Sequence, residues 1–184
     1  IYRKRRHALY GERLSVDIAN MIYEIGDSLT TEFQDFRDHE NFNIELIKHL
    51  SIESPVDAQD FLEKKADDIA DKVFETAVKH YQKKSELTAQ AALPVIKNVY
   101  ENEGGKFKNI VVPFTDGIRT IQVVADLEKC VDSAGKDLIK SFEKNVILAM
   151  IDDAWKDHMR QVDDPKQSVQ GAVYEQEDPL LIYK

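Results

Sequence analysis

A short glycine-lysine stretch in the middle of the chain has the residue types of a phosphate-binding loop. It reads Gly104-Gly105-Lys106, and glycines followed by lysine are what such a loop uses to wrap and neutralise nucleotide phosphates. Phe107 stands where the loop needs a serine or threonine to hold magnesium, and the upstream glycine of the motif is missing. The sequence therefore predicts an ordinary connecting loop, and we expect these residues to bind no nucleotide.

Side chains of metal-binding type are concentrated shortly after residue 150. Asp153 and Asp157 are four residues apart, which places both carboxylates on one face of a helix, and His158 is adjacent. This spacing could hold a divalent cation, so a metal-dependent hydrolase is one alternative. The chain has no HExxH motif and no second histidine at a suitable offset. Because charge runs are usually solvated helix faces, we expect no metal site.

Nucleophilic chemistry has little support in the sequence. Cys130 is the single cysteine, so the chain has neither an internal disulfide framework nor a paired-cysteine metal clamp. The serine motif of the α/β-hydrolases is absent, and no histidine is recognisable as a partner for Cys130. We predict that Cys130 is a small residue on a helix face, and that this part of the protein is not an enzyme.

Two aromatic residues near the end of the sequence have the character of contact residues. Trp155 is the only tryptophan, and a lone tryptophan on an amphipathic helix usually anchors that helix in a core or an interface. Tyr174 lies in a polar stretch between Pro165 and Pro179, with no obvious apolar neighbours to bury it. Since exposed loop aromatics often contact partners, Tyr174 is a candidate binding residue, with simple packing as the alternative.

The charge distribution separates one basic end from an acidic remainder. The formal net charge is −9, from 25 Lys and Arg against 34 Asp and Glu, yet residues 1–13 carry Arg3, Lys4, Arg5, Arg6 and Arg13. An acidic chain lacks the broad positive surface that duplex binding needs, so we expect no nucleic-acid partner. The basic end could still contact RNA or an anionic membrane. A stand-alone helical interaction module that binds RNA through this end is therefore the alternative function.

The chain shows no membrane-spanning or secretory signal. Its longest apolar run, Val146–Ile151, is far shorter than a transmembrane helix requires. The charged first residues are not followed by the apolar region of a signal peptide. The sequence begins with Ile1 inside an expected helix, so we expect it to be a section of a longer protein.

Apolar residues recur every three or four positions over the first hundred residues, the pattern of amphipathic helices. A long helix is predicted from near residue 2 to the high thirties, and a short one over Phe42–Leu50. Ser54-Pro55 is predicted to begin a third helix, because serine caps helices and proline suits their first position. This helix is expected to reach about Tyr100, with a break near Lys84–Ser85 or a kink at Pro94. The apolar stripe of the first helix consists of Leu14, Ile18, Met21, Ile25, Leu29, Phe33 and Phe36.

The period then changes to that of strands. β-Branched runs near 108–113 and 118–124 flank an Asp-Gly pair, Asp116-Gly117, which can take the positive φ angles of a tight hairpin turn. A two-stranded hairpin is marginal in water, so it must pack against the helices. The predicted fold is mainly α: a helical bundle with one long helix and a small inserted antiparallel β-hairpin.

A last long helix is expected to follow the hairpin. Helical periodicity resumes at Ala125, weakens at Gly135 and is predicted to end near Val162, because Asp163-Asp164-Pro165 disfavours helix. Asp178-Pro179 repeats the cap-plus-proline signal, so another helix is expected to begin there.

Three stretches of the sequence together resemble the SecA family, the ATP-driven motors that push unfolded preproteins through the bacterial SecY channel. The segment Tyr2–Leu14 is similar to the end of the family's long scaffold helix. Trp155-Lys-Asp-His-Met159 resembles a family motif that ends in His-Leu, and Tyr174, Gln176, Asp178 and Pro179 match a second motif at the correct spacing. Pro165 departs from the family, which usually has leucine at that position.

This resemblance implies a division of the chain into three parts. Residues 1–36 would belong to the helical scaffold, 37–141 to the helical wing domain with a hairpin insertion at about 107–124, and 142–184 to the two-helix finger. The finger would comprise a first arm anchored by Trp155, a tip at 163–177 and a truncated second arm. In the family a tip aromatic contacts the moving polypeptide, and Tyr174 matches that position.

The resemblance also implies partners, cofactors and location. The chain would be a non-catalytic C-terminal part of a motor that works with the SecYEG channel and unfolded preprotein. ATP and Mg²⁺ would bind the upstream motor domains and not these residues. The parent protein would be cytoplasmic and peripherally associated with the inner membrane. It would have an anionic lipid surface as a further contact and a capacity to form homodimers.

Overall fold

A computed structural model describes residues 6, 10, 13–103, 106–118 and 120–174, with residues 103 and 162–174 described by their backbone alone. Its helices and strands, in chain order, are α1 (Leu14–Phe36), α2 (His39–Leu50), α3 (Ala58–Glu63), α4 (Ala66–Glu103), β1 (Asn109–Thr115), β2 (Thr120–Asp126), α5 (Leu127–Asp132) and α6 (Lys136–Tyr174). The prediction of a mainly helical fold with one antiparallel hairpin is therefore confirmed.

A left-handed residue interrupts the long helix predicted from near residue 2. Arg13 has φ +63° and α1 begins directly after it at Leu14, whereas Arg6 and Tyr10, the two residues described before Arg13, are themselves helical. The predicted apolar stripe begins at Leu14, as α1 does. The buried face itself is displaced from the predicted stripe, because Met21 and Ile25 are 44% and 37% exposed while Gly26 and Thr30 are buried.

The start of the third predicted helix was wrong. Asp57, and not Ser54, caps α3: its carboxylate accepts a hydrogen bond from the Asp60 N–H at 2.7 Å. The Ser54 hydroxyl donates instead to the Val56 carbonyl at 2.7 Å, which holds residues 54–56 in a turn. Lys64 is extended and separates α3 from α4, so the expected single helix is two. Helix α4 is then continuous to Glu103, with no break at Lys84–Ser85 and with Pro94 inside it.

The hairpin pairs Asn109 with Asp126 at one end and Thr115 with Thr120 at the other. The predicted pairing of two strands around Asp116-Gly117 is confirmed, and the connection is four residues long, 116–119. Of the predicted turn pair only Gly117 has a positive φ, +90°. The Asp116 carboxylate accepts from the Ile118 N–H at 2.9 Å, an Asx-type bond that stabilises a wider loop.

The last part of the chain differs from prediction at two points and agrees with it at one. Ala125 and Asp126 belong to β2, so helix resumes at Leu127, where the Asp126 carboxylate caps α5. The weak point at Gly135 is confirmed: it has φ +85° and separates α5 from α6. Helix α6 continues through Asp163-Asp164-Pro165 to Tyr174, so the predicted stop was wrong; proline disfavours helix in the residue before it without forbidding it. Asp178-Pro179 lies outside the described residues.

Two hydrophobic cores lie along α4. The first core joins α1, α2 and α3 to the N-terminal half of α4, and the second joins the hairpin, α5 and the start of α6 to its C-terminal half, as expected for a hairpin that needs helical support. The first core contains Phe42, Leu46, Ile52, Val56, Phe61, Ile69, Val73 and Ala77. The second core contains Ile96, Val123, Ala125, Leu127, Cys130 and Leu138.

Candidate functional site

Helix α6 is the element that carries both predicted contact residues, and its two halves differ in burial. Its start is fixed in the second core by Leu138, which is fully buried, and by Phe142, whose ring stacks on Phe114 of β1 at 4.5 Å. From Ala149 to Gln161 the structure contains no buried residue. Over the residues whose side chains are described, the part of α6 beyond Phe142 contributes to neither core.

Trp155 lies in this part of α6. Its side chain is half-buried, and its ring centroid is 5.7 Å from that of His158 one turn later. Met150, one turn before Trp155, is 67% exposed. The role of Trp155 as an anchor of the helix against a neighbouring segment stays a prediction.

Tyr174 is the final residue of α6, and only its backbone is described. The sequence placed it in a polar loop, whereas the backbone around it is helical. Because a helix rises 1.5 Å per residue, Tyr174 lies roughly 50 Å along α6 from Leu138 in the second core. The structure thus separates Tyr174 from both cores, and its contact role stays a prediction.

The acidic residues near Trp155 form ion pairs with basic neighbours on the same helix. Asp157 Oδ1 lies 2.9 Å from an Arg160 guanidinium nitrogen, and Asp153 Oδ1 lies 3.3 Å from Lys156 Nζ. Within the described ranges no group of three or more histidine, cysteine or acidic residues is arranged to hold a metal ion. Both carboxylates therefore lie exposed on a solvated helix face, paired with basic side chains of the same helix.

The loop around Lys106 has the wrong topology for a phosphate cradle. Such a loop leads from a strand into a helix N-terminus, where free backbone N–H groups meet the phosphates. Here the order is reversed, because Lys106 and the 54% exposed Phe107 lead from the end of α4 into β1.

The second core buries the chain's single thiol. Cys130 is fully buried on α5, as its predicted place on a helix face allows. Burial, with the nearby Asp137 and Asp126 carboxylates, raises the pKa of the thiol to about 11. A thiol with this pKa stays protonated near neutral pH and is a poor nucleophile.

A polar bond between α4 and α6 was missed by the sequence analysis. The Tyr81 hydroxyl donates to Glu143 Oε1 at 2.6 Å, and both side chains are half-buried. Burial and this bond raise the pKa of Tyr81 far above its usual value. In the sequence, Tyr81 fits the apolar stripe of a helix, and no local pattern indicates a hydrogen bond to a glutamate 62 residues away.

None of the described helices combines the length and the sustained apolar character that crossing a bilayer would need. The two longest, α4 and α6, carry charged residues throughout.

Comparison with known proteins assigns the chain to a family. The family model described as SecA Wing and Scaffold domain matches residues 1–184. Curated relatives named "Protein translocase subunit SecA" are 53% identical in Christiangramia forsetii, 50% in Flavobacterium psychrophilum and 44% in Bacteroides fragilis. Each alignment covers 100% of this chain and 16% of the relative's length, and no solved structure matches. The chain belongs to the family of SecA wing and scaffold domains.

Proposed function

We propose that this chain is the scaffold, wing and finger section of a translocase that drives ATP-dependent movement of unfolded preproteins through the SecYEG channel. The observation that carries the proposal is the family match over all 184 residues, together with 53% identity to a protein translocase subunit. In this proposal the section is non-catalytic and transmits movement to the polypeptide.

The shape of α6 supports a transmitting role. Its first turns are held in the second core by Leu138 and Phe142, while the backbone continues as one helix to Tyr174. A helix that is fixed at one end and has no fully buried residue from Ala149 to Gln161 can carry a contact residue far from the body that moves it. Trp155 then anchors this arm against a second helical arm, and Tyr174 contacts the moving chain.

Tyrosine suits a contact that must accept any unfolded sequence. Its ring is rigid and apolar, and its hydroxyl can hydrogen-bond a peptide backbone whatever the side chains are. Only two side-chain torsions are frozen on contact, so the entropy cost is low. These properties favour Tyr174 as the gripping residue of the arm.

ATP and Mg²⁺ belong elsewhere in the complete protein in this proposal. The loop at Gly104-Gly105-Lys106 lacks the magnesium-binding hydroxyl, and it connects α4 to β1 in the order opposite to a phosphate loop. We place nucleotide hydrolysis in motor domains upstream of residue 1. The complete protein would act on the cytoplasmic face of the inner membrane, peripherally bound, with anionic lipid and a second copy as further contacts.

The test is a translocation assay on the complete protein with channel and preprotein present. Tyr174→Ala is expected to lower the translocation rate about five- to tenfold, which corresponds to the loss of a contact of about 1 kcal/mol. Tyr174→Phe, which keeps the ring, should retain much of the rate. Basal ATP hydrolysis should survive both changes because the nucleotide site lies elsewhere.

Tyr100→Phe is a matched control, since Tyr100 is a 40% exposed tyrosine at the far end of α4. A wild-type translocation rate for Tyr174→Ala would mean that Tyr174 only packs. Salt-sensitive RNA binding by the basic N-terminal end, with no effect on translocation, would favour the helical RNA-binding module instead.

A further inference from the structure

The contact between α4 and α6 is a narrow ridge with open space on either side. One cleft of about 480 Å³ lies between α6 and the ends of α1 and α2, where Ile18, Leu50 and Phe142 line it. A second cleft of about 610 Å³ lies on the other flank, where Leu93 and Lys140 line it. Tyr81, Ser85 and Ile139 line both clefts, so they form the ridge that separates them.

The two clefts leave open space on both flanks of α6 at the ridge. Close-packed neighbours hold a helix in one position because any shift creates voids or clashes. Here a sideways swing of α6 would narrow one cleft and widen the other, and the ring stack of Phe142 on Phe114 of β1 is the packed contact that the swing would have to shift. The direction of α6 beyond the second core is therefore set by this stack together with the contacts on the ridge.

The polar contact on this ridge is the bond from the Tyr81 hydroxyl to Glu143. Glu143 lies five residues beyond Leu138 and directly after Phe142, the last α6 residue that packs against the second core. At 2.6 Å with a charged acceptor the bond belongs to the stronger class of hydrogen bonds, and half-burial limits its competition with water. Burial and the bond keep the pKa of Tyr81 raised, so the hydroxyl remains a donor across the physiological range.

We propose that the Tyr81–Glu143 hydrogen bond fixes the direction of α6, and that breaking it lets the part of α6 beyond Glu143 swing sideways, toward the side of one cleft or of the other. We call this hydrogen bond the catch. The part of α6 beyond this bond is long, because 31 residues separate Glu143 from Tyr174. A 10° swing at the ridge therefore moves the end of the helix by roughly 8 Å. Tyr81 and Glu143 are positioning residues in this view. Their effect on preprotein movement rests on the proposed function, whereas their effect on the direction of α6 does not.

The experiment measures the distance between spin labels on α4 and α6 in the complete protein. Lys83 of α4 and Met150 of α6 are exposed labelling positions, and other accessible cysteines are first replaced. Tyr81→Phe keeps the ring and removes the donor. We expect this variant to lower the ratio of molecules with α6 in its fixed direction to molecules with α6 displaced about tenfold. This change would be seen as a broadened or shifted distribution of the distance between the two labels.

Three further variants separate the catch from a general loss of structure. Glu143→Gln keeps a hydrogen-bond acceptor, so its distance distribution should be intermediate between those of wild type and Tyr81→Phe. Glu143→Leu has no acceptor and should give the same distribution as Tyr81→Phe. The double variant Tyr81→Phe/Glu143→Leu should be no worse than either single change, because both remove the same bond. Tyr100→Phe should leave the distribution unchanged.

An unchanged distance distribution in Tyr81→Phe would overturn the proposal, as would additive effects in the double variant. A changed distribution with a lowered translocation rate supports both the catch and the proposed function. A changed distribution with wild-type translocation supports the catch and counts against the role of α6 in moving preprotein.

Discussion

The two cores along α4 differ in the side chains and in the secondary-structure elements that form them. The first core is aromatic at its centre: Phe42 and Phe61 are fully buried with their ring centroids 4.7 Å apart, and His39 lies against both. The second core has no fully buried aromatic ring and instead groups Val123 and Ala125 of the hairpin with Leu138 of α6 and Ile96 of α4. The first is helix on helix, and the second is sheet on helix.

The cores also occupy consecutive parts of the sequence. Residues 42–77 supply the buried set of the first core and 96–138 that of the second. Between them α4 passes the cleft of about 480 Å³, which residues from both sides line. This separation indicates two local folding units that share one long helix, with the Tyr81–Glu143 bond near the junction.

The largest expected effect comes from emptying the centre of the first core. Phe61→Ala removes a fully buried ring and its partner contact with Phe42, which should cost about 3–5 kcal/mol of unfolding free energy. If the cores are separate units, amide hydrogen exchange in α2 and α3 should accelerate strongly while β1 and β2 keep most of their protection. Urea unfolding and hydrogen exchange measure the two quantities.

Phe36→Ala is the control, because Phe36 is 73% exposed at the end of α1 and its loss should cost little. Equal loss of protection in the hairpin and in α2 after Phe61→Ala would show that the chain unfolds as one unit. In that case the contrast between the cores would be one of composition alone.

The next effect acts on the second core through a glycine. Gly135 has φ +85°, and a Cβ atom there would lie 2.8 Å from the Ala89 carbonyl oxygen of α4. Gly135→Ala should therefore cost about 3 kcal/mol, from a left-handed alanine plus a displaced contact between α4 and the connection that precedes α6. Gly117→Ala is a matched control: φ is +90°, but nothing lies within 4 Å, so only the conformational cost of about 1 kcal/mol applies.

Urea unfolding of both glycine variants gives the comparison directly. Equal costs would mean that α4 yields freely at Ala89 and that the second core tolerates movement there. A larger cost at Gly135, with hydrogen exchange accelerated in the hairpin and not in α2, would place the damage in the second core.

The sequence predicted the contents of these cores better than their boundaries. The hairpin was predictable because β-branched residues alternate on both sides of an Asp-Gly pair, a pattern set by local chemistry. The start of α3 was not, because Ser54 and Asp57 are both good capping residues, and the choice depends on the turn that the Ser54 hydroxyl makes with Val56. The buried face of α1 depends on α4, which packs against Gly26 so closely that a Cβ atom there would lie 3.0 Å from Val73 Cγ1.

In the candidate site, too, the residues were easier to predict than the structure around them. Tyr174 and Trp155 were identifiable from residue type and from motifs that resemble a known family. Continuation of α6 through Pro165 was not, since the local preference against helix before proline is weak compared with the rest of a long helix. The Tyr81–Glu143 bond joins residues 62 positions apart, so only the packed arrangement of α4 and α6 reveals it.

The smallest expected effect distinguishes the cores by pH. The buried set of the first core has no ionisable side chain, whereas the second contains Cys130, whose thiol pKa is raised from 9.0 to about 11 by burial and nearby carboxylates. Above pH 9 the unfolded chain releases this proton and the folded chain keeps it, so the stability that the neutral thiol contributes falls as pH rises from 9 to 11. At pH 10 the loss should be about 1 kcal/mol relative to pH 8.

Urea unfolding of wild type and Cys130→Ala at pH 8 and pH 10 tests this value. Every other ionisable group is common to both proteins, so only the difference between the two pH dependences reports Cys130. Wild type should lose about 1 kcal/mol more than Cys130→Ala over this interval, and the extra loss should appear as faster exchange in α5 and the hairpin. Parallel pH dependences would mean that the thiol is solvated in the native protein, and that the second core is looser around α5 than its full burial of Cys130 indicates.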